Sequence, residues 1–249
     1  MMKANIPDLV LTSSTREMRQ PLIDAIVAHG KKLGRPLSIL EAGCGREWGL
    51  DLTGVDYTLT GVDLDPAALE LRKTKVRDLD VAILGDLCTV ELPEASFDVV
   101  FSSYVLEHVQ RADLALQNFV KWLKPGGLLL LCVPERESAR GFYTRTLPHS
   151  IHLLYYRYVL HSKLAGQPGY PPYPTYLHPV IGGGRLCSFL AEQGAKCVGR
   201  YGNGFGPNAP GPLRMVERGV AKLTSMLSLG KLTADYNDVF YVAVKNAQE

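Results

Sequence analysis

The chain has 249 residues, of which 46% are hydrophobic, and it carries a formal net charge of +2. This length suits one α/β domain with a small cap and is ample for a large core. A charge so close to zero gives no basis for binding nucleic acid through phosphate neutralisation. No segment reaches the roughly 18 consecutive apolar residues of a membrane span. The N-terminal stretch has no long apolar run and is not typical of a secretory signal.

The first half alternates between helix and strand patterns. The spacing of Met18, Leu22 and Ile26 predicts an opening helix over residues 16–33. Continuous apolar runs then predict strands at 37–41, 57–63, 81–84, 97–102 and 128–133, with helices at 67–77 and 112–123. Such runs are typical of strands buried on both faces, and their alternation with helices indicates a parallel, doubly wound sheet. A ligand is expected at the carboxyl ends of the strands.

The second half is less regular. Residues 135–181 are rich in aromatics, His and Pro, and are predicted to form a substrate-cap insert. A helix is expected at 185–193, a strand at 196–200, a turn-forming segment at 202–212, an amphipathic helix at 213–229 and a final strand at 238–245. We treat the chain as a single domain, with residues 37–133 as the cofactor-binding half and residues 201–237 as a second insert.

The five cysteines are scattered and form no CxxC pair. A disulfide framework or a structural zinc site would need clustered cysteines. We interpret them as buried thiols in a reducing compartment, which predicts a cytoplasmic protein.

Acids and glycines follow the predicted strands. Glu41-Ala-Gly-Cys-Gly45 is a bend at which backbone approaches a ligand closely, and Asp63 ends the second strand, where it can accept from ribose hydroxyls. A dinucleotide fingerprint would need glycine at position 48, where Trp48 stands, so a nicotinamide oxidoreductase is disfavoured.

Further segments complete an ordered set. Gly85-Asp86-Leu87, Phe97-Asp-Val-Val, Leu106-Glu-His-Val and Leu123-Lys-Pro-Gly-Gly follow Glu41–Gly45 and Gly61-Val-Asp-Leu-Asp. In this order the segments resemble the class I S-adenosylmethionine-dependent methyltransferase family, from about residue 37 to residue 133. The branch is similar to methyltransferases of ubiquinone and menaquinone biosynthesis. The resemblance implies a Rossmann-like, mostly parallel seven-stranded sheet with an antiparallel last strand. It also implies S-adenosylmethionine as cofactor and S-adenosylhomocysteine as product.

The resemblance also implies roles for individual residues. One group would face the methionine part of the cofactor, a second the ribose and adenine, and a third would form the floor beneath the methyl group. These groups are Glu41, Gly43, Cys44 and Gly45; Asp63, Leu64, Asp86 and Leu87; and Ser102 and Ser103. Asp98 is interpreted as structural.

Two features depart from the family pattern. Gly49 and Gly54 disfavour the helix that would follow the glycine bend, so a short or distorted turn is expected there. Trp48 would either lie near the cofactor or pack on the sheet. Some ubiquinone-type O-methyltransferases hold a divalent metal near the motif at Glu107-His108, but Tyr104 offers no carboxylate three residues earlier. A hard cation needs several oxygen ligands, so no metal is predicted.

Methyl transfer to a hydroxyl group needs a base near neutral pH, for which histidine is suited. His108 is the first candidate, followed by His178 and His149 in the insert; each alone also suits a structural role. The helix at 213–229 carries an apolar stripe that would pack on the domain or, less favoured, lie on a membrane. The predicted helix within 146–164 is apolar almost all round, which indicates that it is buried or covers an apolar ligand.

The sequence thus predicts an O-methyltransferase for a partly apolar or glycosylated small molecule, with the insert as its lid. A C-methyltransferase of quinone or lipid type at a membrane surface is one alternative. A non-catalytic cofactor-binding module is another, although such a module needs no lid. A homodimer is left open, with the insert as its interface.

Overall fold

A computed structural model describes residues 6–167, 169–203 and 211–247. They form one eight-stranded sheet in the order β1-β7-β8-β6-β5-β2-β3-β4. Every neighbouring pair is parallel except those that involve β8. The strands are β1 (Leu9–Thr12), β2 (Leu37–Ala42), β3 (Tyr57–Asp63), β4 (Val81–Leu84), β5 (Phe97–Ser103), β6 (Leu123–Pro134), β7 (Ala195–Asn203) and β8 (Asp238–Lys245). The Rossmann-like fold with an antiparallel last strand is confirmed, and β1 adds an eighth strand at the edge.

Helices cover both faces of this sheet. They are α1 (Thr15–Leu33), α2 (Pro66–Leu71), α3 (Ala112–Trp122), α4 (Ala139–Thr146), α5 (His149–Leu154), α6 (Arg185–Glu192) and α7 (Gly211–Leu227). π-helical turns extend α2 over Arg72–Val76 and α5 over Tyr155–Val159, and short 3-10 turns span Leu106–His108 and Pro179–Ile181. α1 begins where the Ser14 side chain accepts the Glu17 N–H, and it ends at Gly34 in the left-handed region, as capping rules require.

Two apolar clusters fill the space between sheet and helices. One includes Phe119 and Trp122 of α3 together with Leu186 and Leu190 of α6. The other, on the opposite face, includes Met18, Leu22 and Ile26 of α1 and the loop residues Leu50 and Leu52. The α1 stripe is therefore in the core, as predicted.

The segment between β2 and β3 contains no helix: residues 43–56 form turns and extended chain. This confirms the distorted turn expected from Gly49 and Gly54. The Trp48 ring meets Phe101 edge-on, with ring centroids 5.6 Å apart, and lies 6.3 Å from the Tyr57 ring. Of the two alternatives for Trp48, the structure therefore shows packing on the sheet.

The inserts build a group of helices next to the sheet, which we call the helical cap: residues 139–164 (α4, α5 and its π turn) and 211–231 (α7 and the turn after it). α4 packs against α7, and the Tyr155 hydroxyl donates to Glu217. One prediction about the cap was wrong: the α7 stripe (Val216, Val220, Leu223 and Leu227) is exposed rather than packed. α5 and its π turn expose Ile151, Leu154 and Tyr158, so of the two alternatives for this segment burial is excluded, and the covering of an apolar ligand stays a prediction. The turn-forming segment predicted at 202–212 lies largely outside the described residues.

A buried carboxylate joins three elements at the amino ends of the central strands. Asp98 of β5 accepts two hydrogen bonds from Arg35, at 2.8 and 2.7 Å, one from the Ser38 N–H at 2.9 Å and one from Lys124 at 3.0 Å. Burial acts to raise the pKa of Asp98, but these donors outweigh it and lower the pKa. The structural role predicted for Asp98 is confirmed.

We expect Asp98→Asn to lower the free energy of unfolding by about 3 kcal/mol, because it removes a buried charge that is paired on several sides. Because the pKa is lowered in the folded state, this stabilisation is fully present at neutral pH. It is lost as the pH falls below 3.8, the ordinary pKa of the group, towards the folded-state pKa. Urea unfolding of both proteins across pH measures this. A gap between the two proteins that widens in acid would contradict the assignment.

Candidate functional site

The glycine bend follows β2 at the carboxyl edge of the sheet. Gly43 and Gly45 have φ values of +77° and +54°, in the region that glycine adopts at no steric cost. A Cβ on Gly43 would collide with the Val105 side chain, whereas the space beside Gly45 is open. The bend is thus pressed against the segment after β5 on one side and is free to meet a ligand on the other.

A buried arginine that the sequence did not single out supports this bend. Arg72, in the π turn after α2, is fully buried and pairs with Glu41 at 2.9 Å and with Asp78 at 2.6 Å. Its other terminal nitrogen donates to the Cys44 carbonyl at 2.7 Å. Glu41 was expected to face the cofactor's ammonium, but in this structure one of its oxygens holds Arg72. The signal for Arg72 was its place on the buried face of a helix, three and four residues after Leu69 and Ala68.

Asp63, predicted to accept from ribose hydroxyls, is held beside the glycine bend. One carboxylate oxygen accepts the Gly45 N–H at 2.8 Å and the other accepts the Asp65 N–H at 2.8 Å. These bonds fix the carboxylate beside the bend and leave lone pairs for further donors. Leu64, predicted to pack on adenine, has 69% of its surface exposed. An exposed leucine next to a fixed carboxylate suits the ribose and base of a nucleoside.

The remaining predicted cofactor residues divide into two groups. Asp86 is exposed at the end of β4, where one carboxylate oxygen accepts the Cys88 N–H at 2.8 Å. Ser103 is partly exposed at the end of β5. The buried group is Cys44, Leu87 and Ser102. Ser102 donates to the Ala42 carbonyl at 2.9 Å and so joins the ends of β2 and β5. Burial raises the pKa of the Cys44 thiol to about 12, so this side chain stays neutral.

Glu107 and His108 form the most unusual pair at this edge. Glu107 is buried, one of its carboxyl oxygens has no hydrogen-bond partner, and burial raises its pKa to about 8. His108 places Nε2 at 3.8 Å from the other oxygen, and its Nδ1 lies 2.7 Å from the Pro174 carbonyl oxygen. A carbonyl only accepts, so Nδ1 carries the proton and Nε2 keeps its lone pair. Burial lowers the pKa of His108, although the Pro174 contact opposes this.

Part of the insert passes over this pair as a strap, which we define as residues 169–177. The Tyr173 ring meets the His108 ring edge-on at 5.6 Å. The Tyr176 and Leu177 N–H groups donate to the Glu107 carbonyl at 2.8 and 3.1 Å. At its other end, Tyr170 lies under the Arg46 guanidinium, which pairs with Asp65 at 3.2 Å. The strap therefore connects the glycine bend to Glu107 and His108.

The other two histidine candidates have different surroundings. His178 caps the turn at Pro179–Ile181, where its Nδ1 accepts the Val180 N–H at 3.2 Å, and its Nε2 is 3.8 Å from Asp113 of α3. His149 begins α5, with its ring centroid 6.5 Å from that of His152. The structure thus gives His178 a capping role and joins neither residue to His108 by a described contact.

Tyr104 occupies the position where a metal-binding relative would have a carboxylate. Within the described parts of the chain, no three His, Cys, Asp or Glu side chains are grouped so that they could hold a metal ion. The absence of a metal requirement stays a prediction.

The part of the chain that forms this edge of the sheet is similar to known proteins. Residues 40–131 match the methyltransferase domain family. A probable S-adenosylmethionine-dependent methyltransferase of Mycolicibacterium smegmatis is 34% identical over 99 residues, which cover 39% of this chain and 38% of that protein. A ubiquinone biosynthesis O-methyltransferase of Rickettsia akari is 29% identical over 118 residues, or 46% of this chain and 47% of that protein. The chain therefore spans less than half the length of either relative.

Similarity in structure extends further than similarity in sequence. The crystal structure of a [4+2]-cyclase superposes with a TM-score of 0.57 and 15% identity, covering 100% of this chain and 88% of the other. At this identity the likeness establishes the fold alone. The match of residues 40–131 to the methyltransferase domain family agrees with the class that the sequence predicts, the S-adenosylmethionine-dependent methyltransferases.

The residues at the carboxyl edge fit that cofactor. The edge offers an acceptor for hydroxyls in the fixed Asp63 carboxylate, close backbone on the open side of Gly45, and an apolar surface in the exposed Leu64. These are the features that a nucleoside with an amino-acid tail requires.

We expect Asp63→Ala to weaken S-adenosylhomocysteine binding by about 1.5–3 kcal/mol, because charged acceptors for the ribose are lost. Isothermal titration calorimetry measures this, with Asp24→Asn on the exposed face of α1 as the matched control. Nicotinamide dinucleotides should give no heat with the parent protein. Heat with a dinucleotide and none with S-adenosylhomocysteine would overturn the cofactor assignment.

Proposed function

We propose that the chain methylates a hydroxyl group of a partly apolar or glycosylated small molecule, with S-adenosylmethionine as donor. The observation that carries the proposal is the setting of His108: the Pro174 carbonyl accepts from Nδ1, so Nε2, which lies 3.8 Å from a Glu107 carboxyl oxygen, keeps the lone pair that a base needs. S-adenosylmethionine supplies an activated methyl group. The chain's own residues must then hold the acceptor in line and take one proton from it.

His108 is the base in this proposal. Its Nδ1–H is held by the Pro174 carbonyl, which fixes the tautomer and directs Nε2 away from that contact. As Nε2 takes the proton from the acceptor hydroxyl, the ring becomes positively charged. The Glu107 carboxyl oxygen, 3.8 Å from Nε2, lies beside that charge and its lone pairs stabilise it. Glu107 therefore acts as a positioning residue.

The strap supplies the lid. It carries the Pro174 carbonyl that orients His108, and it contacts Arg46 at the glycine bend. Closure over the cofactor would keep water from the methyl group, and the tyrosines of the strap offer stacking surface for a ring of the acceptor. The acceptor pocket of the proposal therefore lies beneath residues 169–177.

The proposal also includes the branch of the family and the cellular compartment. The match to the Rickettsia akari O-methyltransferase supports the ubiquinone-type branch and transfer to oxygen. All five cysteines are free thiols. Free thiols favour a reducing compartment such as the cytoplasm.

We expect His108→Asn to lower kcat by about 10²- to 10⁴-fold, the usual contribution of a general base, and to leave S-adenosylhomocysteine affinity unchanged. The pKa of His108 is lowered from 6.5, so kcat of the parent protein should be flat at neutral pH and fall in acid as the imidazole is protonated. The variant should lack this fall. Methyl transfer to a panel of hydroxylated aromatic and glycosylated acceptors, followed by mass spectrometry, provides the measurement.

His149→Asn is the matched control for that experiment. It removes an imidazole from the insert without touching the His108 contacts, and its kcat should equal that of the parent protein. A loss of turnover in His149→Asn with full activity in His108→Asn would assign the base to α5 instead.

We expect activity to survive dialysis against EDTA, because Tyr104 offers no third oxygen ligand beside Glu107 and His108. Turnover before and after dialysis is compared, with and without added Mg²⁺. Loss of activity that Mg²⁺ restores would show that the pair at 107–108 serves as a metal site rather than as a base.

A further inference from the structure

Helix α7 is turned so that its apolar side faces away from the protein. Residues three and four apart lie on one side of a helix, and here that set is exposed. It consists of Met215, Val216, Val220, Leu223, Met226 and Leu227, with Met226 74% exposed. The side that meets the rest of the cap is small or polar: Ala221 is buried, and Glu217 and Thr224 bond the hydroxyls of Tyr155 and Tyr143. A helix that only supported the fold would have the opposite orientation.

A second exposed apolar stripe lies on the neighbouring helix. Ile151, Leu154 and Tyr158 follow one another at three- and four-residue spacing along α5 and its π turn, and Tyr158 is 72% exposed. Tyr155, between them, bonds α7 through Glu217. Two adjoining helices of the cap thus expose apolar side chains at a density that isolated surface residues do not reach.

The cap is also the basic part of the molecule. Its two segments, 139–164 and 211–231, contain eight Lys and Arg residues and one acid, Glu217, whereas the whole chain has a net charge of only +2. The rest of the protein is therefore net negative. On α7, Arg218 and Lys222 lie along one border of the apolar side. Apolar side chains bordered by basic ones are the pattern of a helix that lies in the interface of an anionic bilayer.

The cap is placed on the same side as the candidate site. α4 follows the carboxyl end of β6, and the chain enters the α7 segment after the carboxyl end of β7, which runs parallel to β6 because both are antiparallel to β8. The glycine bend, Asp63 and Glu107 follow β2, β3 and β5 at that same edge. A surface that covers the cap would therefore lie on the side from which an acceptor enters.

We propose that the exposed apolar side of α7, together with the stripe on α5, docks the protein on an anionic lipid bilayer. The charge distribution favours this occupant over a second copy of the chain. A two-fold interface would bring the same basic patch of each copy together, and like charges so placed repel. No helix among the described residues is long and apolar enough to cross a bilayer, so the inferred contact is peripheral.

Co-sedimentation of the full chain with vesicles tests the proposal. Vesicles of phosphatidylcholine mixed equally with phosphatidylglycerol should bind the protein, and vesicles of phosphatidylcholine alone should bind it at least about fivefold less tightly, since each basic residue near an anionic surface contributes about that factor. Binding should weaken as salt is raised. The measurement needs neither cofactor nor acceptor, so its result is independent of the proposed function.

Variants separate this surface from general charge effects. The double variant Leu223→Glu and Met226→Glu should weaken binding by about tenfold or more, because it places acids on the docking side. Both positions are exposed, so folding should be unaffected. Val76→Glu, an exposed valine outside the cap, is the matched control and should bind as the parent does.

Three results would overturn the proposal. The first is the absence of binding to anionic vesicles by the folded parent protein. The second is equal loss of binding in Val76→Glu and in the double variant. The third is a concentration-dependent dimer, seen by analytical ultracentrifugation, that the double variant abolishes while lipid binding is absent; that result would assign the surface to a second copy.

Discussion

The ion pair between Arg72 and Glu41 is closed off from water, and the carboxyl edge of the sheet is arranged around it. Moving two such charges out of water is costly, and the loss is recovered only when the charges are closely paired and hydrogen-bonded. Each of the three guanidinium nitrogens of Arg72 has a partner: Glu41 of β2, Asp78 before β4 and the Cys44 carbonyl in the glycine bend. One side chain thus fixes the end of β2, the turn after α2 and the bend itself.

The glycine bend, which Arg72 fixes, in turn contacts the segments that follow β3 and β5. The bend places the Gly45 N–H on Asp63, and the lack of a side chain at Gly43 lets Val105 pack directly against the bend. Val105 leads into Glu107 and His108, which the strap then covers. The cofactor edge and the proposed base are therefore parts of one packed unit, and a change in either is felt by the other through close contacts rather than through a loose loop.

The sequence predicted the parts whose cause is local. Strands β3, β4 and β8 have the bounds that their apolar runs indicate. The expected burial on both faces fails for β4, which lies at the edge of the sheet and exposes Val81 and Leu84. The turn after β2 followed from Gly49 and Gly54, and the core role of α1 from its periodic stripe. Edge strand β1 was missed, since four residues that pair with β7 some 190 positions later carry no local signal of that pairing.

Other features were not predicted from the sequence for a related reason. The periodicity of α7 correctly shows that one side is apolar, but it does not show whether that side faces the protein or the solvent. For Arg72, two of its three partners lie 28 and 31 positions earlier in the chain, so its burial was visible only once the strands were placed. His178 stays a predicted candidate base, and its contact with the Val180 N–H, which the sequence did not indicate, makes it a cap as well.

The division of charge between cap and sheet has a further physical meaning. With the positive excess on the cap and the negative excess on the remainder, the molecule carries an electric dipole whose positive end is the cap. Within about a Debye length of a charged surface, roughly 8 Å in physiological salt, the field of that surface exerts a torque on such a dipole. This rotation precedes any contact, so encounters with a negative surface are biased towards arrivals with the cap first.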